Sequence, residues 1–306
     1  MMAVDYCWRS LDDAKCVEYL PIATLSLDFY INHYKGNKTA DGKFLLWPTQ
    51  VLESYWCEWP GTSNCCENDL PQLSGLIALS EAVLALPEKY LTPAQRVRYV
   101  TLAASLPKLP TTANGSQYAP AWVTSSPSHN SEVPELFGAH PFRLLTVGRA
   151  TVTPSVNLTT GITTWNVLPL AKANTGWYYG GMDAAYLGLA QESYAMVMER
   201  AVQPPPAGYR FPAFAPHYQD YEPSADHYAN MMTALQIMLI QSGEDCPTCT
   251  IVLLPAWPCE QDVSFKLWAQ LNTTVEVVYA NRTLVSLVVE PPSRQRDVRW
   301  AACVTA

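Results

Sequence analysis

Between residues 70 and 86 the apolar side chains recur at 73, 76, 77, 83 and 84, the stripe of an amphipathic helix, with Asn68 and Asp69 placed to cap its start and Pro87 to stop it. The run Thr92-Pro93-Ala94-Gln95 reads as an N-cap followed by proline at the first helical position, and predicts a second helix to about residue 105. The short link between the two makes a helical hairpin. Residues 180–201 read as a third helix, ended by Pro204-Pro205-Pro206, and residues 226–241 as a fourth, with Tyr228, Met231, Met232, Leu235, Met238 and Leu239 inward. After Gly243 the period changes. Residues 251–254 are continuously apolar, 274–279 are β-branched and partly alternating, and 283–289 follow a short turn at Ala280-Asn281-Arg282. The pattern predicts a mainly α chain with strands in its last fifth. Two long loops rich in proline and aromatic residues, 107–133 and 203–225, are of a length that usually carries function or stays disordered.

Composition narrows the classes. Only 15% of the 306 residues are charged, 49% are hydrophobic and 11% aromatic, which argues for a packed globular protein over a disordered or coiled-coil chain. A net charge of −8 supplies no basic field for phosphate backbones, so nucleic acid is not an expected partner. No apolar run reaches the ~18 residues of a membrane span. The first residues lack a secretion-signal pattern, whereas five N-linked sequons, at Asn37, Asn114, Asn157, Asn272 and Asn281, favour an extracellular or secretory-pathway protein. That conflict, and an odd count of nine cysteines, lead us to expect a missing N-terminal portion or a partner chain to cover helix faces left apolar. Cys246-Pro247-Thr248-Cys249 has redox-motif spacing but precedes a strand-like run instead of opening a helix, which favours a local disulfide or loop cysteines over redox chemistry. No metal or other cofactor is expected.

Three clusters could carry chemistry. Asp226 opens a predicted helix, where free N–H groups and the helix dipole favour an ionised carboxylate; its plain reading is an N-cap. The loop before it carries Glu222 among many aromatic residues. Glu53, in Trp47-Pro48-Thr49-Gln50-Val51-Leu52-Glu53-Ser54-Tyr55-Trp56, is a candidate general acid if burial among the rings holds its proton, and otherwise an exposed carboxylate. Glu132 and Glu135, upstream of Arg143, could bind sugar hydroxyls or form ion pairs.

Taken in order, these clusters resemble the six-hairpin glycosidases, and most closely the catalytic domain of glycoside hydrolase family 95, the α-L-fucosidases and related enzymes. The family motif D-G-N-F-G-G-T-A-G-I-A-E-M-L-L-Q-S, followed by L-L-P-A-L-P, is matched by Asp226 with H-Y-A-N-M-M-T-A-L-Q-I-M-L-I-Q-S and then by Leu253-Leu254-Pro255-Ala256-Trp257-Pro258. Thr175-Gly176-Trp177 is similar to the family's t-G-W-S, residues 130–141 match the length of H-R-H-x-S-H-L-y-g-l-y-P, and residues 48–54 lie where the family has S-P-S-x-S-P-E-N. The resemblance spans about residues 40–290. It implies an (α/α)6 toroid, complete or incomplete, over residues 1–250 and a small antiparallel β region over 251–306. It further implies inverting hydrolysis of a glycosidic bond in an extracellular glycan, with Glu53 as acid and Asp226 as the base that activates water. Glu132, Glu135, Trp177 and Glu222 are then the substrate-binding candidates. The sequence departs from the family where Asn130, Glu132 and Glu135 replace histidines and where Asn230 replaces a small residue, so fucose does not carry over as the substrate. A non-catalytic glycan-binding protein, degenerate or fragmentary, is the alternative.

Overall fold

A computed structural model of the chain describes residues 1–57, 61, 64–124, 128–202 and 225–301. Helix predominates and the strands gather at the C-terminal end. The chain divides into two compact units. One comprises residues 1–144 with 246–248 and 270–272; the other comprises 145–245, 249–269 and 273–306. The β region therefore shares its unit with helices, and residue 250 falls inside that unit.

The first unit is helical. Helices α1 (Met2–Ser10) and α2 (Asp13–His33) form a hairpin closed by the Cys7–Cys16 disulfide, and the Asp12 carboxylate caps α2 by accepting from the Lys15 N–H at 3.0 Å. Neither helix was legible from periodicity, because α2 carries Pro21 in its interior and apolar residues on several sides. Ile22, Leu25 and Phe29, one face of α2, are each more than half exposed. Helix α3 (Leu70–Ala85) starts on Asp69, whose side chain accepts from the Gln72 N–H, and α4 (Pro93–Ser105) starts on a full Thr92/Gln95 capping box. The hairpin expected over residues 70–105 is present, with α3 and α4 packed together.

In the second unit, α5 (Val147–Val152) and α6 (Thr159–Val167) lead to α7 (Gly180–Tyr186), α8 (Ala190–Val202) and α9 (Asp226–Leu239), of which the last three pack on one another. The single helix expected over 180–201 is two. Gly188 takes φ +79° and the Leu189 N–H reaches back to the Ala184 carbonyl at 2.8 Å, a left-handed C-cap that ends α7. Close packing explains the glycines here: a Cβ on Gly180 would stand 2.0 Å from the Ala171 carbonyl oxygen. Helix α9 ends at Leu239, two residues short of the expected Gln241, because β1 (Ile240–Ser242) starts at once.

Strand β1 pairs antiparallel with β2 (Ile251–Leu253), and β2 pairs parallel with β6 (Val298–Trp300). The parallel pair departs from the antiparallel expectation. The second sheet is an antiparallel meander of β3 (Val263–Ala269), β4 (Thr273–Ala280) and β5 (Thr283–Glu290). Alternation along β4 buries Val275, Val277 and Tyr279 in a core shared with Met182, Ala234, Met238 and Trp257. Between sheet and helices, Gln241 accepts from the Gly148 N–H at 2.7 Å and donates to the Ala185 carbonyl at 3.1 Å.

Candidate functional site

A buried polar core in the first unit positions Glu53. Asp69, fully buried, accepts from the Gln72 N–H (2.9 Å) and from the Thr49 hydroxyl (2.7 Å); the Gln72 amide in turn donates to Thr49 and accepts from the Tyr30 hydroxyl (2.8 Å). Burial pushes the Asp69 carboxyl up to about 6 and the Tyr30 phenol up to about 12. Thr49 is locked further by paired backbone bonds to Cys66, whose buried thiol lies against the Tyr55 carbonyl. From that anchor the chain makes a tight turn. The Val51 and Tyr55 backbones bond to each other in both directions, Leu52 takes φ +49°, and Glu53 stands at the tip.

Glu132 and Asn130 come to that tip. The Glu132 Oε2 accepts from the Glu53 N–H at 2.9 Å and the Ser54 hydroxyl at 2.8 Å, while the Asn130 amide donates to the Glu53 carboxylate at 2.9 Å. The His129 N–H donates to the Ser54 carbonyl at 2.7 Å, and the His129 ring stacks on Trp56 with centroids 4.7 Å apart. A few residues on, burial pushes the Glu135 carboxyl up to about 7. Tyr55 faces it: burial and then the Glu135 charge raise the phenol. Thus Glu53 and Glu132, separated by 79 residues in sequence, meet with one amide and a stacked ring pair, while the charge of Glu135 acts on Tyr55 of the same turn.

The proton-holding environment falls on a different residue from the one the sequence suggested. Glu53 is exposed, and it is Glu135 that burial holds near neutrality. A tip of a turn projects its side chain to solvent, whereas Glu135 sits in a 3₁₀ turn between buried Pro134 and Leu136. Beside the turn lies an apolar groove of about 310 Å³, lined by Leu52, Tyr30, Leu76, Phe137 and Phe142 among others, which suits ring faces or hydrocarbon and offers few partners for hydroxyls.

In the second unit the centre is Arg200, which the sequence reading did not single out. Its guanidinium is buried and donates to the Asn174 side chain (2.8 Å) and to the carbonyls of Gly176 (2.9 Å), His227 (2.8 Å) and Tyr178. Burial lowers Arg200 to about 10, opposed by the charges of Asp226 and then Glu199. The Asn230 amide donates to the Gly176 and Tyr178 carbonyls at 3.3 Å, so the segment that carries Trp177 is fixed from two sides. Trp177 is half-buried and stacks on Tyr178 at 4.3 Å. Asp226 is the first residue of α9 instead of its cap: Ala225 holds the cap position without a side-chain bond, and the Asp226 Oδ1 accepts from the adjacent His227 N–H at 3.1 Å. The only sequence sign of Arg200 is a single cation near the end of an amphipathic helix, which any solvated residue would also give.

Glu222 lies outside the described residues. Cys246 and Cys249 are both disulfide-bonded, as is Cys259. No helix among the described residues is long and apolar enough to cross a membrane. The chain matches no protein-family model, and no curated protein is significantly similar to it.

Proposed function

We propose that the protein is a glycoside hydrolase acting on an extracellular glycan, built on an (α/α)6-type helical scaffold. The observation that carries the reading is the first-unit cluster in which Glu53, Glu132 and Asn130 are bonded beside the Trp56–His129 stack, with a proton-holding Glu135 whose charge acts on Tyr55 of the same turn. Sugar recognition requires carboxylates and amides for hydroxyls and flat rings for the apolar faces of a pyranose. Glycosidic cleavage requires one carboxyl group that still holds its proton near neutral pH and a second that is ionised. Two candidates exist for the acid. The family resemblance favours Glu53, and burial favours Glu135. The family resemblance gives the role of base to Asp226, the first residue of α9.

In this mechanism the protonated carboxyl donates to the leaving oxygen as the bond to the anomeric carbon lengthens. An ionised carboxylate takes a proton from the water that attacks the opposite face, so the product anomer is inverted. The test is a screen of aryl glycosides and oligosaccharides with the wild type, Glu53→Gln, Glu135→Gln and Asp226→Asn, with the first-formed anomer read by NMR. Expected are turnover with inversion, a loss of at least about a hundredfold in Asp226→Asn, and a comparable loss in whichever glutamine variant removes the acid. Glycan binding without turnover, unchanged in Asp226→Asn, would replace hydrolysis with the lectin-like reading.

A further inference from the structure

Five asparagines stand in sequons, and the structure divides them. Asn114, Asn157, Asn272 and Asn281 are exposed, while Asn37 is half-buried with its Nδ2 donating to the Trp47 carbonyl at 2.5 Å. The exposed group shares a second property, a free amide nitrogen in a turn. In Asn114 the Oδ1 accepts from the N–H (3.0 Å) and the hydroxyl (2.8 Å) of Ser116, the sequon's own third residue, and also from the Thr112 hydroxyl. In Asn157 the Oδ1 accepts from the N–H of Thr159, again the third residue, at 2.8 Å. Both are Asx turns that engage the oxygen and point the nitrogen away. Asn272 and Asn281 occupy the β3–β4 and β4–β5 turns at φ +48° and +50°, a conformation asparagine tolerates well. Their backbone N–H groups are satisfied by Arg9 and Asp262, and no described bond uses their side-chain amides.

We propose that the folded protein carries N-linked glycans on Asn114, Asn157, Asn272 and Asn281 and none on Asn37. The transfer joins the asparagine Nδ2 to the anomeric carbon of an oligosaccharide on a lipid pyrophosphate. The sugar–phosphate bond breaks, the lipid pyrophosphate leaves with the electron pair, and the nitrogen gives up one proton. At the four turns the new sugar projects into solvent and displaces no contact among the described residues. At Asn37 it would be wedged against Trp47, in the segment that leads to the Thr49 anchor, and chains so modified would lose that packing. The Cys7–Cys16 and Cys57–Cys65 disulfides fit passage through the oxidising compartment in which this transfer happens. The inference is independent of the hydrolase reading.

The test is to secrete the full chain from a eukaryotic host, release glycans with a peptide N-glycosidase in ¹⁸O-water and map the labelled aspartates by mass spectrometry. Label at 114, 157, 272 and 281 with none at 37 is expected, and Asn37→Gln leaves the glycoform mass pattern unchanged. Label at Asn37 in the folded, secreted protein overturns the exclusion. Absence of label at any of the four overturns the assignment at that residue, and absence at all of them overturns the proposal.

Discussion

The two units hold their charged groups in opposite ways. In the first, carboxyl groups are taken out of water and given few counter-charges, so Asp69 and Glu135 keep protons to unusually high pH. In the second, a cation is taken out of water and surrounded by carbonyl oxygens, so Arg200 stays charged and serves as a strut. The first arrangement is tunable by pH, and the second is not within any ordinary range.

The comparison can be broken most forcefully from the packing side. Gly180→Ala puts a methyl group onto the Ala171 carbonyl and should destabilise the second unit by more than about 4 kcal/mol, read as loss of amide exchange protection across α7 to α9 while α3 and α4 stay protected. Next in size is Arg200→Met, which strands the carbonyls of Gly176 and His227; a loss of about 3 kcal/mol in urea unfolding is expected, with Arg200→Lys intermediate because an ammonium cannot span the same fork.

The pH experiment sharpens the contrast. Glu135 and Asp69 are raised in the folded state, so their contribution to stability is full below about pH 4 and is lost as pH rises through about 6 for Asp69 and about 7 for Glu135. Asp69→Asn and Glu135→Gln should each flatten that decline, by at most about 3 kcal/mol, in melts taken between pH 4 and 8. Arg200→Met should leave the slope alone. The smallest effect belongs to Lys266→Ala, which removes an exposed cross-strand pair with Glu276 and should change stability by less than about 0.5 kcal/mol in the same assay.

What could be read in the sequence followed from local rules. The α3–α4 hairpin was legible because Asp69, Thr92 and Gln95 cap in the ordinary way, and β4 and β5 because β-branched residues flank an Asn-Arg turn. The break at Gly188 was hidden, since the apolar spacing continues through it and only the left-handed backbone reveals the stop. Strand β3 was missed because polar Ser264 and Lys266 alternate with residues that are only half-buried. The meeting of Glu53 with Glu132 was foreshadowed only as two separate clusters; bonds between residues 79 apart in the chain have no periodic signature. The alternatives left open for Glu53 resolve to the exposed one, and the burial of Glu135 had no sign, because turn tips and 3₁₀ turns look alike in a string of letters.

Gln241 ties the Gly148 amide to the start of the β1–β2 sheet, and this gives the second unit an internal isotope clock. The Gly148 proton lies at the start of a six-residue helix, where the first N–H groups have no helical partner and ordinarily trade with solvent within moments. Its acceptor is the Gln241 side chain just past the end of α9, so that proton is released when this buried side chain lets go of it. Deuterium uptake at one glycine therefore times the loosening of a side-chain contact made 93 residues away.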